Sequence, residues 1–488
     1  MIADPATDLS ALELAARIRS GALSPVEVCE AHIARIEEVN GSLNALVADR
    51  FDAARAEARR AERALSAGEA TGPLHGVPFT VKELLAVDGM PATFGSVPRR
   101  QRVHVADATA VARLRAAGAI LLGVTNVPEW GFWFETDNLV YGRTNNPWDP
   151  ARTPGGSSGG EAALLAAGGS PLGLGSDIGG SIRMPAAFCG VFGHKPTHGL
   201  VPLTGHYPVY ASGPDATLDK GAPFVVVGPM ARTVADLAAS LRIIAGPDGV
   251  DPNAEPIPFG DPDRVAWRGR RVLVLEDPRI RLARRASGDV RDAVVRAAHE
   301  LEAAGAAVEE FPPDLFRDAV RLWFAALRTT ARAKLAQAMD PDAPLRWWLE
   351  AGRAVTGRRR ISLPALLFLA GESLGVIGTP RPGHLAERGR ELARRVEALL
   401  GDDGVLVMPV HPRPAPRHGE PLRHPFDYAY TAILNVLRVP VTVAPVGFDG
   451  NGLPLAVQVA AARGGDDRTL AAAALLERTL WKPALTQR

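Results

Sequence analysis

Apolar positions recur at helical spacing through the first seventy residues. LSALELAARIRSG (9–21) closes on Gly21, and SPVEVCEAHIARIEEVN (24–40) follows with Ser24 placed as an N-cap and Pro25 at the first helical position. DRFDAARAEARRAERALSAGE (49–69) predicts a third helix whose exposed face alternates in charge. From residue 73 the pattern turns to short apolar runs bounded by glycine. GVPFTVK reads as a strand, ATAVARLRAAG as a helix and AILLGVTN as a strand again. That alternation predicts a sheet wound with helices.

Residues 140–230 are unusually dense in glycine and hold most of the candidate chemistry. Beyond them RRVLVLED (270–277), SGDVRDAVVRAAHELEAAG (287–305) and AAVEEF (306–311) predict a βαβ unit. Residues 312–380 read as mainly helical and carry Trp323, Phe324, Trp347 and Trp348. Strands return in GVLVMPV and VPVTVAPVGF, and DDRTLAAAALLERTL reads as a closing helix. No internal repeat is visible, and the proline-rich HPRPAPRHGEP (411–421) is long enough only for a loop. The whole reads as one large α/β domain with helical additions.

Composition narrows the classes. The 488 residues are 47% apolar and 22% charged with a net charge of +1, which suits a globular protein of enzyme size. Balanced charge offers no general attraction to nucleic acid or an anionic membrane. Two cysteines, Cys29 and Cys189, are too few for a disulfide framework or a structural zinc site. The opening residues lack the basic and apolar regions of a secretory signal, and no apolar run approaches the roughly 20 residues of a membrane span. A cytoplasmic location is the expectation.

TPGGSSGG (153–160) packs four glycines around Ser157 and Ser158. The helix formers EAALLAAGGS follow at once, so the glycines open a helix and do not join domains. A P-loop needs Lys and a hydroxyl after its last glycine, and Glu161 stands there instead. The stretch also fits G-x-S-x-G around either serine, but no histidine is marked as the partner such an elbow requires. Downstream, GSDIGGSIRMP (175–185) places Ser181 after Gly179 and Gly180, where a flexible backbone can turn N–H groups toward one point. Donors of that kind stabilise an oxyanion by about 3–4 kcal/mol each. Ser181 is therefore a candidate nucleophile in need of a base.

Lysine usage supplies a candidate. The chain has five lysines against fifty arginines, so a plain positive charge is met by arginine. Lys82 sits at the end of the apolar run GVPFTV. A buried lysine can lose its proton, which arginine cannot, and lowering its pKa to about 7 costs roughly 4–5 kcal/mol. Taken alone, the residue reads more readily as a lysine snorkelling from a strand end.

The stretch GGSSGGEAALLAAGGSPLGLGSDIGGSIRMPAAFCGVFGHKPTHG closely resembles the amidase signature family. So does the order and spacing of Lys82, Ser157 and Ser181. The resemblance extends through TNNPWDP, GPMARTVADL, GLPLAVQVAA and DDRTL. It implies an amidase fold, a large twisted mixed sheet with helices on both faces, over 1–488: N-terminal helices in 1–70, a signature core in 71–245 and a helical pocket region in 312–380. It implies an amidase that cleaves C–N bonds through an acyl-enzyme on Ser181. Ser157, preceded in the family by a cis peptide bond, would relay the proton to neutral Lys82. Backbone N–H groups of Ile178, Gly179, Gly180 and Ser181 would form the oxyanion hole. Ser158, Asp177 and Arg183 would hold the serines and loops by hydrogen bonds. No metal or cofactor is implied, and His194, His198 and His206 are expected to be structural or pocket residues.

Some features depart from the family pattern. Ser176 replaces the usual threonine, LVPLTGHYP lacks a common basic residue, and YASGPDATLDKGAPFVVVGPM is longer and more polar than the amidotransferase branch suggests. These leave the triad whole and bear on substrate. The family spans fatty acid amide, aryl, peptide, nylon-oligomer and carbamate hydrolases, and the glutaminase subunit of tRNA-dependent amidotransferases. Aromatics in PEWGFWFETDN, Trp130 and Trp133 foremost, and those of 312–380 are core residues by ordinary precedent. If they face the site, an amide with an apolar or aryl group fits better than glutamine, with anilides, esters or urethanes as further substrates. The glutaminase subunit is the alternative. Homodimers are common in the family, though no segment here marks an interface.

Overall fold

A computed structural model describes residues 6–69, 71–207, 224–330, 345–374 and 382–481. The first helices form where the sequence places them, at Ala11–Arg19, Pro25–Leu43 and Phe51–Ser66. The first two open on capping boxes, Ser10 with Glu13 and Ser24 with Glu27, which satisfy N–H groups the helix itself leaves unpaired.

The strands are β1 (Leu46–Asp49), β2 (Pro78–Lys82), β3 (Ile120–Thr125), β4 (Asp137–Asn138), β5 (Gly142–Arg143), β6 (Leu172–Asp177) and β7 (Phe192–Lys195). They continue with β8 (Val226–Ala231), β9 (Arg271–Val274), β10 (Ala307–Glu310), β11 (Val405–Pro409), β12 (Val441–Phe448) and β13 (Pro454–Ala461). Eleven of them build one mixed sheet in the order β1-β3-β2-β6-β8-β7-β12-β13-β11-β9-β10, and β4 and β5 pair separately. The expected βαβ unit is there: β9 and β10 run parallel, joined by the helix Gly288–Ala303. In the glycine-dense region, β6, β7 and β8 form strands that its composition does not announce. They gain that conformation from pairing across the sheet, with β6 and β8 in antiparallel register over six residue pairs.

Helices cover both faces, and side-chain alternation assigns each face its contents. Phe79, Val81, Leu121, Leu172 and Leu174 belong to one core with the helices Ala11–Arg19, Val234–Ile244, Gly288–Ala303 and Asp466–Leu480. Ile120 and Leu122 face the other core, with Ala162–Ala167 and the helix Pro25–Leu43. Thr80 and Lys82 alternate with Phe79 and Val81, so they point to the second face. That face carries the site.

Residues 312–380 are helical where described, at Ala319–Thr330, Trp347–Val355 and Leu363–Ser373; 331–344 and 375–380 lie outside the described residues, as do 210–223 of the polar segment. Trp323 is buried and Trp348 is 55% exposed, so the large apolar groups of this segment do not form one wall. No helix among the described residues is long and apolar enough to cross a membrane.

His194 is structural. Its ring nitrogens meet Thr442 Oγ1 at 2.9 Å and Asp466 Oδ1 at 3.1 Å, and Asp466 also accepts from the Thr197 N–H at 2.8 Å. This buried cluster ties the helix Asp466–Leu480 to β7 and β12. Asp466→Ala strands the Thr197 donors and removes the partner of His194, so it is expected to destabilise by about 2–4 kcal/mol. Urea unfolding checks this: an unchanged midpoint would mean the cluster contributes nothing.

Candidate active site

Parallel neighbours β3, β2 and β6 end together, and the carboxyl ends of such strands are where an open α/β sheet gathers its ligands. Lys82 ends β2 and Asp177 ends β6. The serine loop arrives as the lead-in to the helix Gly159–Ala166, which lies on the same face.

Lys82 is wholly buried, with Nζ 2.7 Å from Ser157 Oγ, 3.0 Å from Ser176 Oγ and 3.2 Å from Ser176 O. Burial lowers its pKa to about 7, against the opposing charges of Asp177 and Glu161. Its three neighbours are two hydroxyls and a carbonyl, all within hydrogen-bonding distance. The carbonyl of Ser176 can only accept, so one N–H goes there.

The Gly156–Ser157 peptide is cis. The neighbouring Ser158 N–H donates to Ser181 O at 3.1 Å, which ties the two serine loops together. Ser158 Oγ lies 3.4 Å from both the carbonyl oxygen and the N–H nitrogen of Ser176. Ser181 is 7% exposed and its hydroxyl has no hydrogen bond among the described residues. The Lys82–Ser157 link is formed; a Ser157–Ser181 link is not.

The loop before Ser181 hangs on a buried ion pair. Asp177 Oδ2 accepts from Arg183 Nε at 3.0 Å and from the Ile182 N–H at 3.1 Å. Its Oδ1 accepts from Arg183 Nη2 at 3.0 Å, Asn435 Nδ2 at 2.9 Å and the Gly180 N–H at 2.8 Å. Burial alone would raise the Asp177 pKa. The Arg183 charge and these hydrogen bonds outweigh it and hold the carboxyl well below the usual range. Arg183 reaches on to Thr431 O at 2.9 Å and Gln458 Oε1 at 3.0 Å.

One expectation changes here. The Gly180 N–H is spent on Asp177, so it is no free oxyanion donor in this structure. The N–H groups of Ile178, Gly179 and Ser181 have no acceptor among the described residues. Gly180 is needed for another reason: its φ is +121°, and a Cβ would stand 2.1 Å from Thr431 Oγ1. Carbonyls of the same loop are pinned from outside, Ile178 O by Trp323 Nε1 at 2.8 Å and Gly179 O by Thr431 Oγ1 at 2.7 Å.

The two tryptophans of the aromatic segment part company. Trp130 is 1% exposed in a cluster with Leu84, Phe94, Val127 and Leu369, so of the two readings, core or pocket wall, it takes the core. Trp133 lies against the serine loop, since a Cβ on Gly156 would come within 2.5 Å of its carbonyl oxygen. Its ring begins a chain of aromatic contacts, Trp133–Phe134 at 4.8 Å, Phe134–Tyr428 at 4.8 Å, Tyr428–Trp323 at 5.1 Å and Trp323–Phe224 at 6.4 Å. His206 is buried with neither ring nitrogen hydrogen-bonded among the described residues. Among the described residues no cluster of three or more His, Cys, Asp or Glu is placed to hold a metal.

Sequence reasoning missed Ser176 as a lysine partner, and it missed Thr431, Asn435 and Gln458 as anchors of the loop that carries Ser181. Ser176 was legible as a hydroxyl preceding Asp177. The other three lie some 250 residues away and gave no local signal.

A buried lysine beside a serine hydroxyl, facing a glycine loop with free N–H groups, is a hydrolase arrangement. Residues 27–470 match the Amidase family model, and the chain belongs to that family. It is 39% identical to fatty-acid amide hydrolase 2-A of Danio rerio, over 98% of this chain and 90% of the relative. It is 35% identical to the acylamidase of Rhodococcus erythropolis, over 96% and 95%. A glutamyl-tRNA(Gln) amidotransferase subunit from Thermus thermophilus follows at 34%, over 95% and 96%. Among solved structures, 6-aminohexanoate cyclic dimer hydrolase complexed with substrate superposes with a TM-score of 0.82 at 29% identity, covering 98% of this chain and 99% of that one. The protein is an amide-cleaving hydrolase, nearer the fatty-acid amide hydrolases and acylamidases than the amidotransferase subunits.

Asp177→Asn keeps the shape but leaves Arg183 buried without its counter-charge, and is expected to destabilise by about 3–5 kcal/mol. Because the folded carboxyl titrates below its unfolded value of about 3.9, the stabilisation is present above that pH and lost as pH falls through the folded value. Unfolding midpoints of both proteins at pH 7 and near pH 3 test this. The gap between them should shrink in acid.

Proposed function

We propose that the protein is a serine amidase whose nucleophile is Ser181, activated through Ser157 by neutral Lys82. The contact between buried Lys82 Nζ and Ser157 Oγ at 2.7 Å carries this reading. As substrate enters, Ser181 Oγ turns to Ser157, closing the second link of the relay; such contacts are often open before substrate binds. Ser181 Oγ then attacks the amide carbonyl, its proton passes to Ser157, and the Ser157 proton passes to Lys82. The N–H groups of Ile178, Gly179 and Ser181 receive the oxyanion, a contribution of about 3–4 kcal/mol for a single donor. Collapse breaks the C–N bond, and the relay returns the proton to the departing nitrogen, which would otherwise leave as an unstable anion. Water attacks the acyl-enzyme by the same route and frees the acid and Ser181.

For substrate we favour amides with an apolar or aryl acyl group, with anilides, esters and urethanes as secondary substrates. The aromatic contacts from Trp133 to Phe224 support this, because Trp323 in that chain bonds directly to the loop bearing Ser181. The higher identity to a fatty-acid amide hydrolase 2, 39% against 34% for the Thermus thermophilus amidotransferase subunit, points the same way.

Labelling with a fluorophosphonate followed by peptide mapping tests the mechanism. Expected is a single adduct on Ser181, abolished in Ser181→Ala and slowed at least about 10³-fold in Lys82→Met. Since only the unprotonated amine serves as base, the labelling rate should climb as pH rises through about 7. An adduct on Ser158, or a Lys82→Met protein labelled at the wild-type rate, overturns the reading. Turnover of a long-chain or aryl amide should exceed that of glutamine by at least about tenfold. A preference for glutamine would select the amidotransferase reading.

A further inference from the structure

Directly after the serine loop, the helix Gly159–Ala166 buries a carboxyl among apolar neighbours. Glu161 is fully buried, between Gly160 and the run Ala162, Ala163, Leu164, Leu165. An apolar side chain would fill such a place at lower cost, since a buried carboxyl has to be hydrogen-bonded to be tolerated. The sheet beneath is fitted to receive it. Thr80 of β2 donates a hydrogen bond to Oε1, and Thr125 of β3 donates to Oε2 at 2.8 Å. Gly173 of β6, the register partner of Thr80, leaves the remaining room, for a Cβ there would lie 1.9 Å from Glu161 Oε1. Three adjacent strands thus give two hydroxyl donors and one missing side chain to a single carboxyl.

The location of this slot relates it to Lys82. Thr80 lies two residues before Lys82 on the same face of β2, about 7 Å along the strand, and Thr125 is the register partner of Lys82 itself. Among the described residues no arginine, lysine or backbone N–H binds the Glu161 carboxyl, so its charge is not neutralised locally.

We propose that Glu161 is a positioning residue for the lysine base: its carboxyl, held by Thr80 and Thr125, sets the pH range over which Lys82 is neutral and steadies the ammonium that forms when Lys82 takes the relayed proton. The effect is electrostatic, and no proton passes to Glu161. The inference rests on the Lys82–Ser157–Ser181 reading above. Among the described residues three titratable groups face Lys82 from the elements around it: Asp177 from β6, His206 from the segment after β7, and Glu161 from the helix. Asp177 is committed to Arg183, and burial, with the Lys82 charge, lowers His206 to about 3, so it stays neutral in the working range. Glu161 differs from both. Burial pushes it up to about 7 against the hydrogen bonds of Thr80 and Thr125 and the charge of Lys82, into the range where burial has brought Lys82 down. The carboxylate and the ammonium each favour the other, so the two charged forms coexist.

The test is the rate of fluorophosphonate labelling of Ser181 against pH, from 5 to 9, for the wild type, Glu161→Gln and Thr125→Val. Glu161→Gln removes a charge that favours the ammonium, so the acid limb should move to lower pH by about one unit. Thr125→Val weakens the ionised carboxyl, and its limb should move part of the way in the same direction. Thermal unfolding of each variant establishes that it is folded; if Glu161→Gln fails to fold, Thr125→Val decides alone. Folded variants whose profiles superimpose on the wild type, or shift upward, overturn the proposal. Lys82→Met separates the two readings. If it labels at the wild-type rate, the lysine-activated serine fails; if it is inactive while the Glu161→Gln profile stays put, only the role of Glu161 fails.

Discussion

The ion pair between Asp177 and Arg183 is the interaction on which the site depends. Both side chains are fully buried, so neither charge has water to fall back on. Their hydrogen bonds fix the Gly180, Ile182 and Arg183 N–H groups and so set the path of the loop that carries Ser181. The same guanidinium reaches Thr431 and Gln458, which belong to the last sixty residues of the chain. Segments from both halves of the sheet thereby meet at the Ser181 loop. A pair of this kind is costly to assemble and adds little net stability, yet losing one partner is severe. It acts to impose one loop conformation.

A second electrostatic condition sits beside it. An amine can accept a proton near neutral pH only if water is kept from its ammonium form, and complete burial of Lys82 does this. Two carboxylates nearby oppose that shift and keep it moderate. Asp177 acts from within its ion pair and Glu161 from a slot of hydroxyls. Two serine hydroxyls, of Ser157 and Ser176, lie within hydrogen-bonding distance of the amine. Arginine, ten times as common in this chain, could do none of this because it stays protonated.

The aromatic residues show how one composition serves two ends. Trp130 and Phe94 close a core with Leu345 and Ile361, anchoring the helices Trp347–Val355 and Leu363–Ser373 near the segment that abuts the serine loop. Three residues on, Trp133 and Phe134 start a line of rings that runs to Trp323, a hydrogen-bond donor to the loop of Ser181. The solved structure of 6-aminohexanoate cyclic dimer hydrolase shares the fold over 98% of this chain.

Features governed by near neighbours were legible in the sequence alone. Ser24 and Pro25 mark a helix start, Gly288–Ala303 reads as the crossover of a parallel pair, and the scarcity of lysine singles out Lys82. Resemblance to a family joined Lys82, Ser157 and Ser181 as well. Tertiary structure decided what surrounds them. The glycine-dense strands β6 to β8 take their conformation from partners across the sheet. Trp130 is withdrawn into a core by residues more than two hundred positions away. The Gly180 N–H turns to Asp177 instead of the substrate side. Ser176 approaches Lys82 across 94 residues of chain, Glu161 reaches Thr80 across 81, and Gln458 meets Arg183 across 275. Capping, turns and side-chain alternation act within a few residues and leave a local trace. The environment of a buried charge is assembled by the closing of the sheet from distant segments, and only the folded chain specifies it.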